Sequence, residues 1–280
     1  MEKIREKELA LFAAKLRKNI VLQVYSANSG HPGGSLSIAD ILSYLYNVEM
    51  NVDAKNPKDP NRDRFVLSKG HASPAIYAAL ALKGYFDEEE LKKFRNIKGI
   101  LQGHPDMKGV PGVDMSSGSL GQGISAACGM AIAGKKTNKD YRVYAVLGDG
   151  EIEEGQVWEA AMFAAHYKLD NLCAFLDLNG LQIDGKTADV MSSAPADEKF
   201  KAFGWNVLVI DGHSFEEIEA ALNNARNTKG KPTMIVCNTT KGKGVSYMEN
   251  QAGWHGAAPT EEQFNIAMAE LDAAIAALEE

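Results

Sequence analysis

Apolar positions along this chain recur at two spacings. Residues 6–27 carry Leu9, Phe12, Ala13, Leu16, Ile20 and Val24 at steps that keep one face apolar, which predicts a long helix. The pattern stops in a loop where Gly30, Pro32, Gly33 and Gly34 surround His31. Ser37, with Asp40 at the capping-box position, predicts a helix through about Asn47. Short β-leaning apolar runs predict strands over Arg64–Leu67, Tyr141–Leu147, Leu172–Leu178, Asn206–Ile210 and Thr233–Cys237. Helical spacing fills most of the intervals. It covers Ser73 (N-cap) and Pro74 to Leu82, Asp87–Arg95, Gln122–Ala133, Glu153–Leu169 and Asp197–Phe203, then a helix capped by Ser214 and Glu217 that reaches about Asn227. Thr260 caps a final helix through Leu278, whose stripe of Phe264, Met268, Leu271, Ile275 and Leu278 is most simply a core-packing face. Strand and helix alternate from residue 64 to residue 237. The predicted fold is α/β: a doubly wound, mainly parallel sheet with helices on both faces, in one domain over residues 1–280.

The stretch Gly148–Gly185 carries the first chemical signal. It reads as strand, Gly148-Asp149-Gly150 turn, crossover helix with Val157, Ala161, Ala164 and Lys168 on one stripe, and second strand ending at Asn179. Such a crossover joins parallel strands and is nearly always right-handed, so Asp149 and Asn179 fall on one edge of the sheet. On neighbouring strands they would stand about 5 Å apart. That edge is where open α/β sheets bind ligands. A carboxylate and an amide oxygen are hard ligands that suit Mg²⁺ or Ca²⁺ and leave the metal electropositive enough for a polyphosphate. Read by itself, a Gly-Asp-Gly turn is equally an ordinary loop.

Composition narrows the classes. The 280 residues are 45% hydrophobic, enough for a sizeable core. A net charge of −7 argues against a nucleic-acid partner. No apolar run approaches the length of a membrane span, and the charged N-terminal stretch does not suit a signal peptide. Cys128, Cys173 and Cys237 match no zinc or disulfide framework, which points to buried thiols in a reducing cytoplasm.

Four of the six histidines, His31, His71, His104 and His255, lie in loops rich in glycine or proline. A lone loop histidine is usually just solvated, but together these could hydrogen-bond phosphates and hydroxyls or move protons near neutral pH. His166 and His213 read as structural. Gly118-Ser-Leu-Gly-Gln-Gly123 precedes a helix, so its amides could meet an anion, or it is an ordinary tight turn. It lacks the dinucleotide-binding order of glycines. Gly129–Lys136 is a near miss to a phosphate-binding loop, with Lys136 where Ser or Thr is needed. Glu151, Glu153, Glu154 and Glu159 are mostly explained as first-turn carboxylates favoured by the helix dipole.

Taken in order, SGHPGGSLS, LSKGHAS, GHPD, GSLGQG, GDG with DLNGLQIDG, and GWHGAAP resemble the loops of the transketolase family, across about residues 6–259. The resemblance implies a thiamine-diphosphate site with Mg²⁺ (or Ca²⁺) held by Asp149, Asn179 and the main-chain carbonyl of Leu181. It implies diphosphate contacts from His71, Gly150, Asn179 and His255, and aminopyrimidine contacts from the backbones of Gly118 and Leu120. His31, His71, His104 and His255 would surround the hydroxyls and carbonyl of a sugar or sugar-phosphate substrate. Glu154 and Glu159 would lie near the cofactor at a subunit interface. Ser119, Leu178 and Asp106 stand where the family often has Pro, Asp and Glu. The family's pyrimidine-binding and C-terminal domains have no counterpart in these residues. The chain thus resembles the N-terminal subunit of a split transketolase. A C-terminal subunit would supply the activating glutamate, an α₂β₂ heterotetramer would form, and a two-carbon ketol unit would pass from ketose to aldose. Two other readings are a two-chain synthase that condenses a decarboxylated 2-oxo acid with an aldehyde, and a non-catalytic cofactor-binding module.

Overall fold

A computed structural model of the protein describes residues 3–280. The predicted strands form β1 (Arg64–Leu67), β2 (Val143–Gly148), β3 (Leu172–Leu178), β6 (Asn206–Asp211) and β7 (Thr233–Asn238). They make one five-stranded sheet in the order β1-β2-β3-β7-β6, and every pairing is parallel. A small antiparallel ribbon, β4 (Leu181–Gln182) and β5 (Gly185–Lys186), follows β3.

Buried strands alternate their side chains between two cores. Tyr144, Val146, Cys173, Phe175, Ile235 and Cys237 face one core. That core is covered by α1 (Lys3–Ser26), α2 (Gly33–Leu36), α3 (Ala39–Tyr44), α4 (Ser73–Leu82), α9 (Phe215–Asn227) and α10 (Glu261–Glu279). Val143, Ala145, Leu147, Leu172, Ala174, Leu176, Met234 and Val236 face the other. There α5 (Gln122–Lys136), α6 (Gly155–His166) and α8 (Ala196–Ala202) supply Ala127, Val157, Ala161 and Phe200. A short α7 (Thr187–Val190) lies between β5 and α8. All three cysteines are free and buried.

The chain crosses from β1 to β2 and from β2 to β3 through α5 and α6 on one face, with α4 packed on the other, then skips to the edge strand β6 and steps back to β7 over α9 on the face of α4. The sense of winding therefore reverses beside β3 and β7, and their carboxyl ends open a crevice. Glycine fixes one wall of it. A Cβ on Gly123 would stand 2.5 Å from the Cα of Ser68, so only glycine lets α5 start this close to the end of β1.

Several helix boundaries differ from expectation. The helix predicted from Ser37 is broken into α2, α3 and a π-turn over Leu45–Glu49. Ser37 caps nothing. Its hydroxyl donates to Gly34 O and to Asp177, while Asp40 is taken by Arg17 and His213. Ser73 is the first residue of α4 rather than its cap, because a 3₁₀ turn over Gly70–Ala72 runs into the helix and the hydroxyl donates to Gly103 O. Glu88–Lys93 is 3₁₀. A 3₁₀ turn over Glu151–Glu153 precedes α6, which ends at His166, and Lys168 is exposed with positive φ beyond the apolar stripe. Both remaining caps form: Ser214 accepts from Glu217 N, and Thr260 with Gln263 completes a capping box. The stripe of α10 lies on α1, where Tyr25 and Phe264 stack with ring centroids 4.0 Å apart.

Candidate functional site

The carboxyl ends of β1, β2, β3 and β7 each deliver ionisable groups to the crevice. Register pairs Gly148 with Asp177 and Leu178 with Asn238, so the segments leaving these strands start side by side. A cleft of about 400 Å³ lies over them, within the range of cofactor sites. Its walls include Lys69, His71, Leu120, Asp149, Gly150, Glu151, Glu154, Asn179, Leu181, Lys241 and His255. A larger cavity of about 480 Å³ touches the other side of Asp149, but it is walled mainly by apolar groups such as Leu178, Pro195, Val209 and Val236. The chemistry belongs to the smaller cleft, where the polar groups converge.

Asp149 is 2% exposed. Its carboxylate accepts from the amides of Gly150 (3.0 Å) and Gly180 (2.6 Å) and from the Thr187 hydroxyl (3.3 Å). Burial, then the neighbouring Asp177 charge, push its pKa up to about 6. Asn179 donates from Nδ2 to Asp177 and accepts at Oδ1 from Leu181 N, 3.1 Å. The Leu181 carbonyl accepts from the Lys241 ammonium at 2.9 Å. The three oxygens expected to hold a metal thus share one cleft, and each is engaged by a protein donor. Such a set of one carboxylate, one amide and one carbonyl suits a hard divalent ion. A cation in the cleft would offset the burial and the Asp177 charge that raise Asp149.

Three of the four expected histidines form a triangle. Ring centroids lie 5.2 Å apart for His31 and His71, 5.4 Å for His31 and His255, and 5.1 Å for His71 and His255. Burial is the first cause lowering all three pKa values, to about 4 for His31 and about 3 for His255, with nearby cations adding to it. They are therefore neutral at neutral pH and present hydrogen-bonding nitrogens rather than charges. His104 stands next to this group, close enough for its charge to lower His31, and its ring lies against Gly118. Arg95 Nη1 donates to Ser29, while Nη2 lies 3.5 Å from His31 Nδ1.

Sequence reasoning missed the buried charges beneath the cleft. Lys69, 1% exposed, donates to Asp177 at 2.6 Å and to Gly34 O at 2.5 Å. Burial alone would raise Asp177, but the Lys69 ammonium and hydrogen bonds from Lys69, Thr239 and Ser37 hold it below the usual range. Lys241, also buried, contacts His255 Nδ1 at 2.9 Å, and its pKa falls to about 8 through burial and the like charge of Lys69. A signal was present: a charged residue inside the otherwise apolar run 172–178, and a lysine two residues after the end of β1.

Two expectations are corrected. Among the GSLGQG amides, Gly121 donates to Glu151 and Gln122 to Ser119 O, and the Ile124 amide just beyond donates to Ser68 Oγ, so these do not face a ligand. The buried glutamate is Glu151, clamped by Ser68, Gly121 and Gly148, and not merely a helix-dipole residue. Glu154 lines the cleft but is exposed, as is Glu159.

A doubly wound parallel sheet with this crevice is an α/β domain of the class that binds ligands at the carboxyl edge. Residues 10–273 match the family described as transketolase, thiamine diphosphate binding domain, and the chain belongs to that family. It is 48% identical over 257 residues to a 6-deoxy-6-sulfo-D-fructose transketolase subunit from Clostridium sp. (strain MSTE9), covering 92% of this chain and 94% of that one. It is 44% identical to an apulose-4-phosphate transketolase subunit from Phocaeicola vulgatus, covering 97% and 96%. Human transketolase is 44% identical over 245 residues, which span 87% of this chain but 39% of the human one. Transketolase from Campylobacter jejuni superposes with a TM-score of 0.88 at 35% identity, covering 99% of this chain and 46% of that chain. The chain therefore spans the length of the subunit-type relatives and under half of the longer transketolases.

Proposed function

We propose that residues 1–280 form the single diphosphate-binding domain of a two-chain transketolase, acting on ketose and aldose substrates that carry an anionic terminal group. The observation that carries this reading is the cleft itself: a hard-oxygen set at Asp149, Asn179 and Leu181 shares one crevice with the His71 and His255 imidazoles, and His31 completes their triangle. Names of the two subunit-type relatives support it, since one includes a sulfo-sugar and the other a sugar phosphate.

Asp149, Asn179 and the Leu181 carbonyl would hold Mg²⁺ (or Ca²⁺), with Lys241 yielding the carbonyl to the ion and turning to the diphosphate. His71, Gly150 and His255 would contact the diphosphate, while Gly118 and Leu120 would offer backbone groups to the aminopyrimidine. Bound thiamine diphosphate supplies the carbon nucleophile that carries a two-carbon ketol unit. His31, His71, His104 and His255 would orient the sugar by accepting from its hydroxyls and donating to its carbonyl oxygen. Their lowered pKa values make them weak bases in the free chain. An incoming anion would raise those values and improve them as proton acceptors.

A separate C-terminal subunit would supply the activating glutamate, in an α₂β₂ assembly. Met162 (53% exposed) and Phe163 on α6, with Tyr167 just past its end, leave an apolar strip beyond Glu159 that suits a partner surface. Among the described residues no helix is long and apolar enough to cross a membrane, and the free buried thiols suit a reducing compartment such as the cytoplasm.

The test is ketol transfer from a phosphorylated or sulfonated ketose, measured with this chain alone and with the candidate partner. Activity only in the mixture is expected, and full activity from this chain alone would overturn the two-chain reading. His31→Ala should lower turnover by about 100-fold while cofactor affinity changes by no more than about twofold. An equal loss in both would remove His31 from the substrate side.

A further inference from the structure

His213 lies in the turn between β6 and α9, outside the cleft, yet it makes two close contacts. Its Nε2 accepts from the Thr240 amide at 2.9 Å, and its Nδ1 stands 2.7 Å from Asp40 Oδ2. A backbone amide can only donate, so Nε2 is unprotonated and the ring proton sits on Nδ1, where it is donated to Asp40. Asp40 is in turn gripped by both terminal nitrogens of Arg17, at 3.1 and 2.5 Å. Asp40 is 6% exposed and Arg17 8%. Three elements, α1, α3 and the β6–α9 turn, therefore converge on one amide of the segment that leaves β7.

That segment reaches the cleft on both sides of Thr240. The Thr239 hydroxyl donates to Asp177. Lys241 Nζ contacts the Leu181 carbonyl and His255 Nδ1, each at 2.9 Å. Gly242 donates to Gly33 O at 3.0 Å. Arg17 also packs directly under this loop, since a Cβ on Gly244 would stand 2.8 Å from its Cδ.

We propose that His213 is a positioning residue for the diphosphate side of the cleft, the last member of an Arg17–Asp40–His213 relay. The relay fixes the Thr240 amide and so sets where the Lys241 ammonium stands relative to Leu181 and His255. It rests on the reading of this cleft as a diphosphate site. His213 touches neither cofactor nor substrate.

Two substitutions separate its two contacts. An asparagine amide falls near the Nδ1 position, so His213→Asn keeps the Asp40 contact and loses Thr240. A glutamine amide reaches the Nε2 position, so His213→Gln keeps an acceptor for Thr240 and loses Asp40. The chain reconstituted with its partner is titrated with thiamine diphosphate at saturating Mg²⁺ by calorimetry, beside thermal unfolding without cofactor and turnover at saturating cofactor. His213→Asn should lose about 10-fold or more in affinity, as supporting residues behind a metal-cofactor site do, whereas His213→Gln should stay near the unsubstituted value. Turnover at saturation should be alike in all three. Binding by the unsubstituted protein with no difference between the two variants, or losses that only track unfolding temperature, would overturn the relay alone. Absence of binding by the unsubstituted protein would overturn the reading of the cleft and the relay with it. If His213→Asn does not fold, His213→Gln still decides: it must keep both its affinity and a Thr240 amide protected from hydrogen exchange.

Discussion

The two ends of the sheet treat buried charge in opposite ways. At the amino end, carboxylates are consumed by the fold. Asp63 accepts from Asn51 N and Arg142 N at 2.8 and 2.7 Å, joining the starts of β1 and β2. Asp114 accepts from Phe65 N and pairs with Arg62. Asp170 accepts from Gly230 N and Lys135, tying the start of β3 to that of β7. At the carboxyl end the groups lie beside an open cleft, and several are left electrostatically uneasy: Asp149 pushed up, Lys241 pushed down, and a cluster of imidazoles held neutral. Burial raises the pKa of Asp63 and Asp149 alike, and both accept from backbone amides; what separates them is access, because Asp149 lines the cleft where a counter-charge can reach it and Asp63 does not.

That contrast can be broken in order of expected effect. Removing Lys69 should do the most damage, because it strands Asp177 in the interior. Lys69→Met should cost about 3–5 kcal/mol in denaturant unfolding, and a loss below about 1 kcal/mol would show that the pair is not the keystone its burial implies. Asp149→Ala should lower metal-dependent cofactor affinity by about 100-fold in calorimetric titration, beside a loss of about 1–3 kcal/mol in apo stability because the Gly150 and Gly180 amides lose their acceptor. Unchanged cofactor affinity would place Asp149 with the architectural group. Asp63→Ala should cost a similar amount, about 1–3 kcal/mol, by orphaning two amides, while cofactor affinity stays constant.

The smallest effect is the response to pH. Folded values of His31, His71, His104 and His255 lie below the unfolded 6.5. As pH falls through 6.5 the unfolded chain takes up protons first, so stability is lost, and the loss is complete only below the folded values near 4 and 3. Asp149 opposes this, because its folded value near 6 exceeds the unfolded 3.8 and favours the folded state as pH falls across that interval. Burial raises the Asp63 and Glu151 values in the same sense as Asp149, so three carboxyls stand against four imidazoles, and the imidazoles, whose unfolded value lies at the top of the interval, set the sign. The apo unfolding temperature should therefore drop by several degrees between pH 6.5 and pH 4.5 in scanning calorimetry, and a rise over that interval would refute the neutral triangle.

Period-two and apolar runs made every strand of the main sheet legible, and the crossover rule put Asp149 and Asn179 on adjacent strand ends, where they are found. The loop histidines were legible by composition. What escaped was pairing across long separations: Lys69 with Asp177, Lys241 with Leu181 and His255, and Arg17 with Asp40. A lysine in a glycine-flanked loop looks solvated until the strand beside it is known to carry a carboxylate. Ser37 and Ser73 misled for the same reason, since each resembled a local cap and spends its hydroxyl on a distant partner.

The triangle of rings has a consequence for the birth of the protein. His31 and His255 meet across more than two hundred residues of chain, and Gly33 accepts from Gly242 over a similar span. A ribosome adds about 5–20 residues per second, so the first half of the cleft waits many seconds for the second. During that wait no cofactor can help the nascent chain fold, because the groups that would grip it have not all emerged. Vitamin supply can stabilise finished molecules but cannot rescue those that collapse wrongly on the way out.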